Sequence, residues 1–214
     1  MKSTWRDRDK DFTKFLVGGE TTKRHLVEAL FTTKTRQYTP LPGFDVDMDE
    51  KEYYQLQQII NCDEVYPNIL IGDGETAKNK PYLIDRLGVT HLLNCAEGKK
   101  FGFCRTDREF YKDTPLKYLG LPVLDVPHSD ISQYFFPAAN FIDDAITSGG
   151  KAYVHCLMGV SRSATCVLAY LMIKKNMLAV DALKTVREHR DIHPNEGFLE
   201  QLATLDNQLR RSRL

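Results

Sequence analysis

At 214 residues the chain has room for one domain and some extra length, and its 42% hydrophobic and 27% charged content is that of an ordinary soluble globular protein. Lys plus Arg balance Asp plus Glu at 29 each, so no global basicity points to nucleic acid or an anionic membrane as a partner. No apolar run approaches the roughly 20 residues of a bilayer span, and the charged start, Met1 to Lys10, has no apolar signal core. The expectation is an intracellular protein, in the cytoplasm and with the nucleus also open to it. Five cysteines without a C-x-x-C pair argue against a secreted disulfide framework and against zinc.

Lys and Arg are in excess up to about residue 40, and an acidic run over 41–52 follows the Pro40-Leu-Pro-Gly43 break. Residues 1–50 therefore read as an N-terminal extension outside the core, either a flexible solvated arm or a docking arm for a partner. Leu26, Ala29 and Leu30 share one helical face within it. Tyr53, Leu56, Ile59 and Ile60 predict a short amphipathic helix leading into a domain over 51–214. Apolar runs rich in Val, Ile, Leu and Tyr predict strands at 65–71, 90–95, 116–121 and 151–155. Helices are expected at about 81–87, 107–112, 133–148, 162–176, 179–190 and 195–210. Tyr134, Ala138, Phe141, Ile142, Ala145 and Ile146 form one buried face, with Pro137 in the first turn or at a kink. Phe198, Leu202, Leu205 and Leu209 form another. Strands alternating with helices predict an α/β fold: a central, mostly parallel sheet of four or five strands flanked by helices, its site at the strands' carboxyl ends.

Cys156 falls at such an end, in His155-Cys-Leu-Met-Gly-Val-Ser-Arg-Ser163. A loop that closes onto a helix N-terminus gathers unpaired N–H groups and the positive end of a helix dipole at one point. That point suits a phosphoryl group, bound by the backbone of Leu157, Met158, Gly159, Val160, Ser161 and Arg162, with Gly159 allowing the tight curve. The same field favours thiolate, so Cys156 is expected to have a lowered pKa and to be a nucleophile near neutral pH. Arg162 supplies a planar fork for two phosphoryl oxygens. His155 is expected to fix the loop through the backbone and not to carry a proton. Ser163 either donates to the Cys156 sulfur, caps the following helix, or does both. His189 and His193 have metal-like spacing but no third ligand, so no metal is expected.

His-Cys-x5-Arg-Ser resembles the signature of the cysteine-dependent protein phosphatases, and Ala169-Tyr-Leu-Met172 resembles their dual-specificity branch. The likeness extends over Glu64-Val-Tyr-Pro-Asn-Ile-Leu-Ile-Gly72, Gly88-Val-Thr-His-Leu-Leu-Asn-Cys-Ala-Glu-Gly98, Phe110-Tyr-Lys-Asp113, Tyr118-Leu-Gly120 and Asn195-Glu-Gly-Phe-Leu199. Together these are similar to the small, atypical vaccinia-H1-related phosphatases. The resemblance implies a protein-tyrosine-phosphatase-like fold and hydrolysis of phosphotyrosine and phosphothreonine or phosphoserine in proteins through a phosphocysteine, with no cofactor. It implies a general acid on a mobile loop about thirty residues before the cysteine. Asp125 stands at that position, with Asp130 as rival and as a better candidate for a helix cap near Ser132. It matches Arg190 to an arginine that holds a second phosphate, against the alternative of a solvated helix-end charge. A Cys-Ala-Glu setting like that of the phosphatase-and-tensin enzymes suggests Cys95 as a redox partner for Cys156, against the alternative of an inert buried thiol. The expected partners are phosphorylated proteins, with mitogen-activated protein kinases a family-level expectation. The assembly state implied is a monomer or weak dimer.

Leu157, Met158 and Val160 are apolar where phosphoinositide phosphatases of this fold carry lysines, which disfavours a lipid substrate. Two other classes compete. A non-catalytic phosphoprotein-binding module would use the same loop but usually loses the cysteine, arginine or acid, and all three are present. Arg162 six residues past the thiol, together with the flanking likeness, argues against a sulfurtransferase or arsenate reductase.

Overall fold

The structure, a computed structural model, describes residues 16, 18–36, 41–44 and 50–214. The charged stretch before residue 16, most of the acidic run and the Tyr53 side chain lie outside these. Five strands form one sheet: β1 (Cys62–Tyr66), β2 (Ile69–Gly72), β3 (Val89–Asn94), β4 (Lys117–Gly120) and β5 (Lys151–His155), in the order β1-β2-β5-β3-β4. Only β1 and β2 are antiparallel. The remaining pairs are parallel, as strand–helix alternation requires.

The single strand expected over 65–71 is a hairpin instead. Pro67 cannot donate to the ladder, and Asn68 adopts a left-handed φ of 63°, so the apolar run reverses at Pro67-Asn68. The segment 107–112, expected as a helix, forms turns. Asp107 Oδ1 caps the Phe110 N–H, but Tyr111 is drawn inward, its hydroxyl donating to Ala77 O and its ring stacked on Tyr118. The helix expected at 81–87 is a π-helical turn over Tyr82–Arg86.

Six α-helices are described: α1 (Lys23–Thr32), α2 (Glu50–Gln57), α3 (Phe135–Thr147), α4 (Arg162–Lys174), α5 (Ala179–Arg187) and α6 (Glu196–Ser212). Every residue of α4 from Arg162 to Met172 is buried, because the helix is enclosed by the sheet, α3, α5 and α6. It stops where Asn176 takes a φ of 58°. Strand residues alternate between two cores. Ile69, Ile71, Leu93, Ala152 and Val154 meet the helices. Leu70, Leu92 and Tyr153 face a smaller core closed by the π turn, Tyr111 and Leu116. The long helices thus collect on one face, and irregular chain covers the other.

The extension expected outside the core is partly built into it. Leu26, Ala29 and Leu30 are buried in the main core, and α1 lies across α5 and α6. Thr21 ties the segment down: its hydroxyl donates to buried Asp206 at 2.5 Å and its backbone pairs with the Asn207 amide. At the far end Thr35 and Arg36 bond to the carbonyls of Arg187 and Glu188.

Candidate active site

The three central strands end level with one another: Gly72 and Asn94 both stand opposite His155. The chain leaves β5 there and turns through 156–161 before α4 begins. In that loop every carbonyl is turned outward and bound. Cys156 O accepts from His155 Nδ1 and Cys104 Sγ, and Leu157 O from Gly74 N. Met158 O and Gly159 O accept from Arg190, Val160 O from His193 N, and Ser161 O from Thr165. Peptide planes held by their oxygens present their N–H groups to the opposite side, which here is the concave face around Cys156. Gly159 has a φ of 70°, and a Cβ there would lie 2.5 Å from Gly72 O, so only glycine fits.

Cys156 is almost fully buried, which by itself would push its thiol up. The Ser163 hydroxyl 3.4 Å from the sulfur, the N–H groups of Ser163 and Val160, and the Arg162 guanidinium outweigh burial, and the thiol ends below its ordinary value. Ser163 therefore faces the sulfur, and Ser161 occupies the N-cap position of α4. His155 is buried without charge: desolvation, then the nearby Arg162, take its pKa down to about 4 although its bond to Cys156 O opposes this. Since a carbonyl can only accept, Nδ1 carries the proton of the neutral ring. The histidine holds loop backbone, as its place in the motif suggests.

Arg162 is 3% exposed. Its Nη1 donates to Gly102 O at 2.9 Å and to Val123 O at 3.0 Å. Its Nε stands 3.4 Å from Asp125 Oδ2, an ion pair without hydrogen-bond alignment. Asp125 reaches the same cavity, and its Oδ1 accepts from Ser161 Oγ at 2.8 Å and Asn195 Nδ2 at 2.9 Å. Asp130 is occupied elsewhere, accepting from the Ser132 N–H and hydroxyl at the start of a 3₁₀ turn. The cavity, of about 400 Å³, is walled by Phe101, Leu124, Leu157, Met158 and Val160, with Cys156, Asp125 and Arg162 at its polar end. Phe101 is fully exposed at the rim.

Arg190 and Cys95 each carry two competing expectations. Arg190 is 7% exposed, and four of its five guanidinium N–H groups are engaged: Nε on Gly159 O, Nη2 on Met158 O and Asn61 Oδ1, Nη1 on Asp63 Oδ2 at 2.7 Å. It is no solvated helix-end charge: it ties the phosphate loop to β1 and also lines a cavity beside Leu157, Met158 and Val160. Cys95 is buried at the end of β3, where burial and a hydrogen bond with the Cys166 side chain raise its pKa well above normal. Cys104 is the thiol against the nucleophile's own backbone, pushed up to about 11 by burial and by Cys156. His189 Nδ1 bonds to Thr185 O, and the His193 backbone serves the loop. Sequence reasoning placed Ser161 in the loop through its backbone but missed its hydroxyl bond to Asp125, and it missed Asn195, Gly102 and Cys104 as neighbours of the reacting groups. Only Asn195 had a signal, as a residue of the Asn-Glu-Gly-Phe-Leu stretch.

Residues 69–208 match the catalytic domain of the dual specificity phosphatases. The chain is 50% identical over 154 residues to mouse dual specificity protein phosphatase 13B, covering 72% of this chain and 76% of the relative. The human protein of that name is 47% identical over 158 residues, covering 73% and 78%. Among solved structures, human tyrosine phosphatase-like serine/threonine/tyrosine-interacting protein superposes with a TM-score of 0.58 at 32% identity, over 66% of this chain and 93% of that one. With its signature loop, its five-stranded sheet and a family match across most of the domain, the chain belongs to the dual specificity phosphatases.

Proposed function

We propose that the protein hydrolyses phosphotyrosine and phosphothreonine or phosphoserine in proteins, through a phosphocysteine on Cys156. One observation carries this reading: a buried sulfur with a lowered pKa sits inside a loop whose carbonyls are all bound outward. In the first step the thiolate attacks phosphorus and the ester P–O bond breaks. The departing oxygen takes the proton of Asp125, while Arg162 and the N–H groups of 157–162 hold the equatorial oxygens. In the second step the Asp125 carboxylate takes a proton from water, the resulting hydroxide attacks phosphorus, and the S–P bond breaks. Ser163 stabilises the sulfur as it leaves. Asp130 is set apart from this chemistry by its bonds to Ser132.

The substrates are phosphorylated proteins. The apolar walls favour a phosphoresidue on a peptide over a polyanionic headgroup. Mitogen-activated kinases as targets, and a cytoplasmic and nuclear place of action, belong to the same proposal. So does a Cys95–Cys156 disulfide under peroxide. Among the described residues no helix is long and apolar enough to cross a membrane. The experiment is generic phosphomonoester turnover with acid quench: Cys156→Ser abolishes both turnover and the acid-stable phosphoenzyme, and Asp125→Asn slows its formation. A protein that binds phosphopeptides with no turnover would instead support a binding module, the reading favoured by the likeness to a phosphatase-like interacting protein.

A further inference from the structure

We propose that Asn195 and Ser161 are positioning residues that fix the Asp125 carboxylate, and that the first two turns of α6 brace the acid loop before substrate arrives. This rests on Asp125 being the general acid. The three side chains close a ring: Asn195 Nδ2 donates to Asp125 Oδ1 at 2.9 Å, Ser161 Oγ donates to the same oxygen at 2.8 Å, and Asn195 N donates to Ser161 Oγ at 3.2 Å. Asn195 is also the N-cap of α6, its Oδ1 accepting from Phe198 N at 3.0 Å. That bond fixes which end of the amide faces Asp125.

An N-cap needs only an acceptor, and Asp, Ser or Thr would serve α6 as well. Asparagine presents its acceptor and its donor on two different atoms, so it serves its helix with Oδ1 and the Asp125 carboxylate with Nδ2 at once. Ser161, at the cap position of α4, likewise sends its hydroxyl to Asp125 and not to its own helix. Both donors fall on Oδ1. That makes Oδ1 the accepting oxygen and leaves Oδ2, 3.4 Å from Arg162 Nε, to carry the proton in the reaction.

The rest of the acid loop is held from the same helix. A Cβ on Gly197 would lie 1.8 Å from Pro127 O, so α6 presses directly on the loop backbone. Gln201 donates to Ser129 O at 2.8 Å and accepts from Ile131 N and Ser132 N. Residues 125–132 are thus tied by Asn195, Gly197 and Gln201.

The test uses the full chain and two substrates that differ in how much they need an acid: p-nitrophenyl phosphate, a good leaving group, and phenyl phosphate, a poor one. Asn195→Asp keeps the cap acceptor but replaces the donor with a repelling carboxylate. Asn195→Ser, which also keeps a cap acceptor but has no amide to send to Asp125, serves should Asn195→Asp not fold. The expected result is a fall of about tenfold in kcat on phenyl phosphate, a modest share of the 10²–10⁴-fold that acid catalysis supplies. KM stays unchanged, and p-nitrophenyl phosphate is affected by less than about twofold. Placed on Asp125→Asn, neither substitution adds anything. Equal losses on both substrates, or additive losses on Asp125→Asn, overturn the positioning role. Should Asp125→Asn itself show no dependence on leaving group, the assignment of the acid fails, and the positioning role fails with it.

Discussion

Replacing Arg190 with Met keeps an unbranched apolar stem of similar reach and removes the guanidinium. Two loop carbonyls, Met158 O and Gly159 O, lose their donors, and Asp63 loses its ion pair. Hydrogen bonds from a charged donor contribute about 1.5–3 kcal/mol each. Breaking a buried pair costs about 3–5 kcal/mol, but Asp63 is 20% exposed and water can reach it, which places this contribution at or below the lower bound. These losses share one guanidinium and do not add in full, so unfolding in urea is expected to show a loss of about 4 kcal/mol. The loop would also lose two of its outward anchors. Small misplacements of reacting groups cost up to about 10²-fold, so kcat/KM should fall by about 10-fold or more, and equally on singly and doubly phosphorylated peptides. A variant as stable as its parent to within about 1 kcal/mol, impaired only on doubly phosphorylated peptides, would show that Arg190 binds a second phosphate and refute this account.

The remaining predictions concern the buried titratable groups. His155 titrates near 6.5 when unfolded and about 4 when folded, so the unfolded chain binds its proton first as pH falls. Stability should therefore be fully present above pH 6.5 and drop by about 3 kcal/mol between 6.5 and 4; His155→Gln should lack this slope in denaturation curves taken across that window. Iodoacetate should alkylate Cys156 with a midpoint below that of a free thiol, and Ser163→Ala should move the midpoint up; an unmoved midpoint would mean the hydroxyl does not hold the thiolate. After peroxide treatment, peptide mapping should find Cys95 joined to Cys156. A Cys95–Cys166 or Cys104–Cys156 bridge, or Cys156 recovered only as sulfinic acid, would remove that reading.

Period and chemistry in the sequence were enough to locate the parallel strands, the buried α4 and the loop that carries Cys156 and Arg162, while Asp125, which lines the same cavity, came from the family resemblance. Those features are local: an apolar run, a Gly-containing loop and a helix start lie within a score of residues. What escaped depends on who stands opposite. The hairpin within 65–71 was hidden because both arms are apolar, and only Pro67-Asn68 separates them. The turns over 107–112 follow from Tyr111 reaching across to Ala77 and Tyr118, partners far along the chain. Arg190 reads from sequence as a free cation, since nothing nearby announces Asp63, more than a hundred residues earlier. Asn195 shows in sequence only as part of a family-like stretch, because Asp125 stands seventy residues before it.

The segment from Gly18 to Arg36 has a practical bearing on where this domain can be cut. The region shared with the family begins at Ile69, yet the cover over α5 and α6 comes from Leu26, Ala29 and Leu30, far upstream. A fragment trimmed to the shared region would bare that apolar flank to water. It would also leave the Asp206 carboxylate with a single donor, the Ala179 N–H, inside a site that normally supplies two. Because the same segment grips the carbonyls of Arg187 and Glu188, just before the arginine that anchors the phosphate loop, recombinant work aimed at turnover should start no later than Gly18.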